Sequence, residues 1–420
     1  MSVTIGIDFG TSFCSASWIN PITGNPEAVR FSDTGTEKMP SIVAFTSSDE
    51  IRIGNVPYQA LEDAASADED MRRFIQENTI TGIKTRMKYG DQYRRKSKTY
   101  SNDEIIAEIL KKIKQQVIES CNITDKIDQA VLTHPVVFEE WKKDCLKHAA
   151  ALAGFKRVKT LEEPISAALY AIKSGAIPKT CKGLLVYDFG AGTFDVAYVK
   201  IESDGDLYLP LTPLGDSNCG GDDIDMALYR NWEKYIKTTK GKSISTDPEE
   251  IDLAFLYRCR RQKEQLSRGQ MADVINAYIP RVGSIRREFS DADFNKIVEP
   301  WVDKTIEKTR QLVNEIQAKK LPLDYAVLIG GSSRLPLVKK KMETLLGNST
   351  KVVTTGGLDI AVAVGAMYSI STPITKEKPK KEPPKPTPPV EYFCTNCGNK
   401  IMSNVKFCMV CGQKNYMYKP

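Results

Sequence analysis

The chain has 420 residues, of which 41% are hydrophobic and 27% charged, with a formal net charge of +6. That length points to two or three domains, the composition excludes a wholly disordered chain, and no apolar run approaches the roughly 18 residues a transmembrane helix needs. The charge excess is confined to the C-terminal segments. Residues 376–389 hold five Lys and two Glu, and residues 391–420 hold four Lys and one Glu, so the remaining body is close to neutral. It gives no sequence-level reason to bind nucleic acid or another polyanion.

The opening MSVTIGIDFG begins an apolar strand almost at once and has no basic leader, so no signal peptide and a cytoplasmic location are expected. Further on, Ser101 and Glu104 form a capping box, and Ile106, Ile109, Ile113 and Val117 recur at helical spacing. Ala130 to Thr133 reads as a strand, and Glu139 to Ala153 as a helix ending at Gly154. Pro164 opens a second helix that runs to Gly175. Apolar strands at 184–187, 196–199 and 326–329 continue the alternation, which is that of an α/β protein with buried sheets. The run Ile360 to Ile370, rich in Ala and Gly, reads as a packed core element. Residues 371–389 contain seven Pro and five Lys and predict an extended linker.

An internal echo carries the chemistry. Ile7-Asp8-Phe9-Gly10-Thr11-Ser12 resembles Tyr187-Asp188-Phe189-Gly190-Ala191-Gly192-Thr193, 180 residues later, and each follows an apolar strand. Gly-rich turns let backbone N–H groups approach a phosphate, Thr and Ser add hydroxyl donors, and an Asp opening the turn can hold hydrated Mg²⁺. A third such turn is Val327-Leu328-Ile329-Gly330-Gly331-Ser332-Ser333-Arg334, where Arg334 can brace a nucleoside site or form a structural ion pair. Competing motifs fail. Gly241-Lys242-Ser243 has Ile236 where a Walker A loop needs glycine, and the Asp-Phe-Gly triplets lack a kinase H-R-D loop. His134, one of only two histidines, sits before Pro135 at a strand end and reads as structural.

Residues 3 to about 370 resemble the nucleotide-binding domain of the heat shock protein 70 chaperones, in the actin and sugar-kinase superfamily. The blocks Ile5–Ser12, Val131–Phe138, Glu163–Ala171, Leu185–Val196 and Val327–Pro336 appear in the family's order, with Gly220-Gly221-Asp222-Asp223 and Asp359–Met367 beside them. The resemblance implies a duplicated, two-lobed actin-like ATPase fold with ribonuclease H-like halves, holding ATP or ADP and Mg²⁺ between the lobes. It assigns Asp8 and Asp188 to the Mg²⁺ and Gly10, Thr11, Ser12, Gly190, Ala191, Gly192 and Thr193 to the phosphates. Lys84, Glu163, Asp195 and Thr193 become the catalytic set, Lys84 orienting the attacking water and offsetting charge on the phosphoryl group. Gly220, Gly221, Lys263, Ser267, Gly330, Gly331, Ser332, Arg334 and Asp359 complete the nucleotide site, and Pro135 and Pro164 lie on the path between lobes. Three positions depart from the family pattern: Ala191 where glycine is usual, Arg260 in place of Glu, and Glu264 in place of a basic residue. They keep alive a nucleotide-binding scaffold or regulator with negligible turnover. A small-molecule kinase on the same fold would need an acceptor pocket and a base aspartate, neither of which is identifiable.

After residue 370 no apolar interdomain linker, peptide-binding β-sandwich or helical lid follows, so an ATPase engine with a different attachment is expected. That attachment contains Cys394, Cys397, Cys408 and Cys411, two C-x-x-C-G knuckles ten residues apart. Such turns present four thiolates to Zn²⁺, and about thirty residues need the metal to fold. The segment resembles a small zinc ribbon. The other cysteines, Cys14, Cys121, Cys145, Cys181, Cys219 and Cys259, are scattered and read as free thiols. The expected organisation is therefore a nucleotide-binding domain over 1–370, a linker over 371–390 and a zinc ribbon over 391–420. The ribbon or linker would recruit a protein partner or client, and a nucleotide-exchange or co-chaperone protein is expected by analogy alone.

Overall fold

The apolar runs form strands, and their order on the sheets repeats. The computed structural model describes residues 2–370 apart from 65–66, 203–204, 246–249, 269–274, 280, 288–289, 355–356 and 358, the backbone alone at 275–278, and the backbone of 391–393 and 400–402. The chain divides into two compact units, Met1–Thr375 and Lys376–Pro420.

The larger unit is built twice on one plan. In the first lobe, Ser2–Asp8 pairs antiparallel with Phe13–Ile19, which pairs antiparallel with Pro26–Ala28. On its other edge Ser2–Asp8 runs parallel to Lys126–His134, and that strand parallel to Arg157–Glu162. The second lobe repeats the order. Gly183–Phe189 pairs antiparallel with Phe194–Ile201, which pairs with Leu207–Tyr208; its other edge runs parallel to Tyr325–Ile329 and then Lys351–Thr354. Even the sixth strands correspond: Met39–Pro40 pairs with the start of Phe13–Ile19 as Leu214–Asp216 pairs with the start of Phe194–Ile201. The register sets Asp8 opposite Ser15 and Asp188 opposite Asp195. The echo in the sequence is thus the repeat of a hairpin, and the architecture is two-lobed and mixed α/β.

Both sheets are covered on both faces, which is why residues 184–186 and 196–199 are continuously buried rather than alternating. Helix Asn102–Cys121 covers the first sheet with Ile105, Ile106, Ile109, Ile113 and Val117. Ser101 caps it, its N–H donating to Glu104 Oε2 at 3.0 Å. Between the sheets lie helices Glu163–Lys173 and Ala361–Tyr368, whose core joins Val131 and Leu161 of the first lobe to Leu184, Val186 and Val327 of the second. The helices cross so closely that a Cβ on Gly365 would sit 1.8 Å from the Ser166 carbonyl oxygen. Ser166 Oγ donates to Val362 O at 2.5 Å, and Ser17 Oγ donates to Ala363 O at 2.6 Å, fixing the second helix to both neighbours. The Ala/Gly composition of 360–370 is the signature of that crossing.

The lobes also meet at the other end of the cleft. Helices Asn55–Asp63 and Glu69–Asn78 of the first lobe face Leu253–Ser267 of the second. Tyr58 and Tyr257 make a ring contact, Gln76 donates to Glu250, and Arg281 pairs with Glu69. Arg72 also pairs with Asp252. The space between is closed at both ends. Among the described residues no helix is long and apolar enough to cross a membrane.

In the smaller unit, Glu391–Phe393 pairs antiparallel with Lys400–Met402. The expected linker at 371–390 and the four cysteines Cys394, Cys397, Cys408 and Cys411 lie outside the described residues.

Candidate functional site

A cavity of about 220 Å³ opens between the two hairpins. The first hairpin supplies Asp8, Gly10, Thr11 and Ser12, and the second Asp188, Gly190, Ala191, Gly192 and Thr193. The turns face each other at contact distance, since a Cβ on Gly192 would lie 2.8 Å from Thr11 Oγ1. Backbone bonds hold the second turn from behind: Gly221 N donates to Gly190 O at 3.0 Å and Asp222 N to Ala191 O at 2.7 Å. Ser332 Oγ also donates to Gly190 O, at 2.8 Å. Ala191 stands where glycine is usual without distorting this turn. It is not among the non-glycine residues with positive φ, which are Asp49, Asn122 and Lys320 among the described residues.

The floor is acidic around one lysine. Lys84, on the short helix Ile83–Arg86, is 5% exposed, and its Nζ donates to Glu163 Oε1 at 2.7 Å. Lys84 is therefore a buried, paired cation and not a solvated surface lysine. Burial alone would push the Lys84 pKa down, but the carboxylates of Glu163 and Asp8 outweigh it and hold the ammonium charged. The acids move the other way. Burial pushes Asp8 up to about 7, opposed by Lys84 and reinforced by Glu163. Asp195 is likewise raised to about 7 by burial and then by Glu163, with the Thr193 hydroxyl and the Val137 N–H acting against the shift. Asp188 is raised by burial and by the charges of Glu163, Asp195 and Asp8. Asp195 Oδ1 is buried with no hydrogen-bond partner. Four carboxylates around one ammonium, with one oxygen orphaned, form a chemistry that a divalent cation would relieve.

No group of three or more His, Cys, Asp or Glu among the described residues is close enough to cage a metal alone. Asp8 and Asp188, read from the sequence as the Mg²⁺ pair, both line the cavity.

On the opposite wall, helix Leu253–Ser267 brings Arg260, Lys263, Glu264 and Ser267 to the lining, the turn after Tyr325–Ile329 brings Gly330, Gly331, Ser332 and Arg334, and the segment before helix Ala361–Tyr368 brings Asp359. Lys263 and Arg260 are engaged sideways. Arg260 pairs with Asp222 at 2.6 Å and Asp225 at 3.0 Å, while Lys263 pairs with Asp225 at 2.7 Å and donates to Gly221 O at 2.7 Å. Arg260 thus fills its unusual position as the cation of a buried network. Arg334 forms an ion pair with Asp359 at 2.7 Å, which also takes Lys38 at 2.9 Å.

Three of the residues read from the sequence as site residues do not line the cavity. Gly220 and Gly221 stand behind the second glycine-rich turn, and Asp195 is buried, hydrogen-bonded to Thr193 and within reach of the Glu163 charge. His134 is structural, its Nδ1 2.8 Å from the Pro135 carbonyl. The lining also contains Asp222 of the Gly220–Asp223 block, and Lys38, Phe13, Cys14 and Arg268, which motif reasoning does not reach. Cys14 is buried, its thiol pushed up to about 12 by burial.

Comparison with known proteins agrees with this geometry. A family model described as Hsp70 protein matches residues 4–377. The chain is similar to the chaperone protein DnaK of Thermosipho africanus (strain TCF52B), 29% identical over 370 residues that cover 86% of this chain and 58% of that protein. It is equally similar to the chaperone protein DnaK of Thermotoga neapolitana (strain ATCC 49049 / DSM 4359 / NBRC 107923 / NS-E), 29% identical over 371 residues with the same shares covered. The chain thus spans 58% of the length of these curated relatives.

Proposed function

This chain belongs to the Hsp70 family, and on that premise we propose that it binds ATP and ADP with Mg²⁺ between its lobes and hydrolyses ATP slowly. The observation that carries the proposal is the buried Lys84–Glu163 pair set among Asp8, Asp188 and Asp195, between two facing glycine-rich turns. The backbone N–H groups of residues 10–12 and 190–193 would cradle the β- and γ-phosphates. Asp8 and Asp188 would hold Mg²⁺, which when bound would supply charge neutralisation to the phosphates. Lys84 would orient the attacking water and offset charge developing on the transferred phosphoryl group. Glu163, which lines the cavity, would accept the water's proton, with Asp195 buried behind it and hydrogen-bonded to Thr193. Lys263, Ser267, Arg334 and Asp359 form the nucleoside side.

The two helices crossing between the lobes would serve as the hinge, and opening of the lobes would break the Tyr58–Tyr257 and Gln76–Glu250 contacts. The C-terminal unit acts as a zinc ribbon held by Cys394, Cys397, Cys408 and Cys411. It and the Pro/Lys-rich 371–390 segment would present a protein partner or client at a local concentration set by the linker. A nucleotide-exchange or co-chaperone protein would act on the lobes. The engagement of Arg260 by Asp222 and Asp225 favours a second reading, a scaffold that binds nucleotide without appreciable turnover.

Calorimetric titration of the full-length chain with ATP and ADP, with and without Mg²⁺, tests the binding step. The proposal expects micromolar or tighter binding that weakens when Mg²⁺ is removed. No binding of either nucleotide would sink both readings.

A further inference from the structure

Lys38 lines the cavity but belongs to none of the sequence motifs. Its backbone is fastened to the first glycine-rich turn. The next residues, Met39–Pro40, pair with Cys14 and Phe13, Ser41 N donates to Ser12 O at 2.9 Å, and Ser41 Oγ donates to Gly10 O at 2.8 Å. The side chain passes over the Phe13 ring, with Nζ 5.4 Å from the ring centroid, and ends on Asp359 Oδ2 at 2.9 Å. That same oxygen accepts from Arg334 Nη2 at 2.7 Å.

One carboxylate therefore faces two cations. Elsewhere in the lining the account is different: Lys84 has Glu163, while Arg260 and Lys263 share Asp222 and Asp225. Among the ion pairs of the lining, Lys38 and Arg334 have a single carboxylate between them, and Arg268 also lines the cavity. The Lys38 side chain is 34% exposed against 6% for Lys84, and a four-carbon stem gives its ammonium freedom of reach that the buried cations lack.

We propose that Lys38 is a phosphate-contacting residue of the nucleotide site, supplied by the first lobe, which exchanges the shared Asp359 carboxylate for a phosphate oxygen. The inference rests on the nucleotide-binding reading above. The exchange strands no charge, since Arg334 continues to neutralise Asp359 after Lys38 leaves it. An ammonium–phosphate contact is then gained where a polyanion enters beside the Gly10–Ser12 turn.

The test is calorimetry on full-length wild type, Lys38→Ala, Lys38→Arg and Asp359→Asn with ATP, ADP and adenosine. Lys38→Ala is expected to weaken ATP and ADP about tenfold, the effect of one charge-assisted hydrogen bond, and to leave adenosine unchanged. Lys38→Arg should recover most of that loss. Asp359→Asn, which releases Lys38, should shift affinity the opposite way, favouring ADP over adenosine. Equal losses for adenosine and ADP, or parallel losses in Lys38→Ala and Asp359→Asn, would mean a tie between lobes instead of a phosphate contact and would overturn the inference. Wild-type binding with an unaffected Lys38→Ala would overturn it too while leaving the nucleotide reading standing. A wild type that binds no nucleotide would defeat that reading itself.

Discussion

Replacing Lys84 by Met keeps the apolar stem and removes the ammonium. The Lys84 and Glu163 side chains are 6% and 7% exposed and 2.7 Å apart, so solvent cannot take over the lost charge. Glu163 would be left beside Asp8 and Asp188 with no nearby cation. Removing one partner of a buried ion pair costs about 3–5 kcal/mol, and Lys84→Met should lose that much stability at pH 8. The loss should shrink toward pH 5, where the stranded carboxylates can take up protons. Lys84→Met/Glu163→Gln should recover part of it at pH 8, because the uncompensated charge is gone. Urea denaturation followed by far-UV circular dichroism at the two pH values measures all three variants. A Lys84→Met protein as stable as wild type at pH 8, with no pH dependence in the difference, would refute the reasoning.

Asp8 and Asp195 have pKa values raised from 3.8 to about 7, so the folded state holds protons there that the unfolded chain has released. Their contribution to stability is present below about pH 4 and is lost as pH rises to about 7. Asp195→Asn should reduce that slope in thermal melts, and Mg²⁺ with ADP should reduce it further by replacing protons with a cation; an unchanged slope in both cases would contradict the burial argument. Gly365→Ala drives a methyl group to 1.8 Å from the Ser166 carbonyl oxygen and should cost about 3 kcal/mol or more, read as a large fall in melting temperature. A near-neutral effect there would mean that the two central helices separate easily. Elemental analysis of the purified chain should find a single bound Zn²⁺, lost in Cys394→Ser and Cys411→Ser and released by a thiol-modifying reagent. Full zinc retention in either variant would rule out the proposed ligand set.

The sequence made the scaffold of the site readable because its signals are local. An apolar strand followed by Asp-Phe-Gly and a hydroxyl residue marks each hairpin wherever it stands, and it brings Asp8, Thr11, Asp188 and Thr193 to one cavity. The Ala/Gly run at 360–370 announced close packing, although only the structure shows that Ser166 is what Gly365 approaches. What stayed hidden is non-local. Lys38 enters the lining through the pairing of Met39–Pro40 with a strand 26 residues earlier, a relation that no periodicity encodes. Arg260 looks like a bare departure from the family pattern until Asp222 and Asp225 are seen holding it. Ala191 looks like an obstruction until its backbone conformation is known to suit an L-residue. Gly220 and Gly221 carry a recognisable motif, but their place behind the second turn depends on how helix Gly221–Lys240 docks.

The central claim is that the cavity between the duplicated hairpins is an ATP-hydrolysing site organised by Lys84. Single-turnover hydrolysis of Mg²⁺–ATP by the full-length chain, beside Lys84→Ala and a 1–370 truncation, tests it most directly. The account predicts measurable turnover in the full-length protein, a loss of about a hundredfold or more in Lys84→Ala, and retention in the truncation. Tight nucleotide binding with no turnover in any of the three would contradict it and leave the scaffold reading in its place.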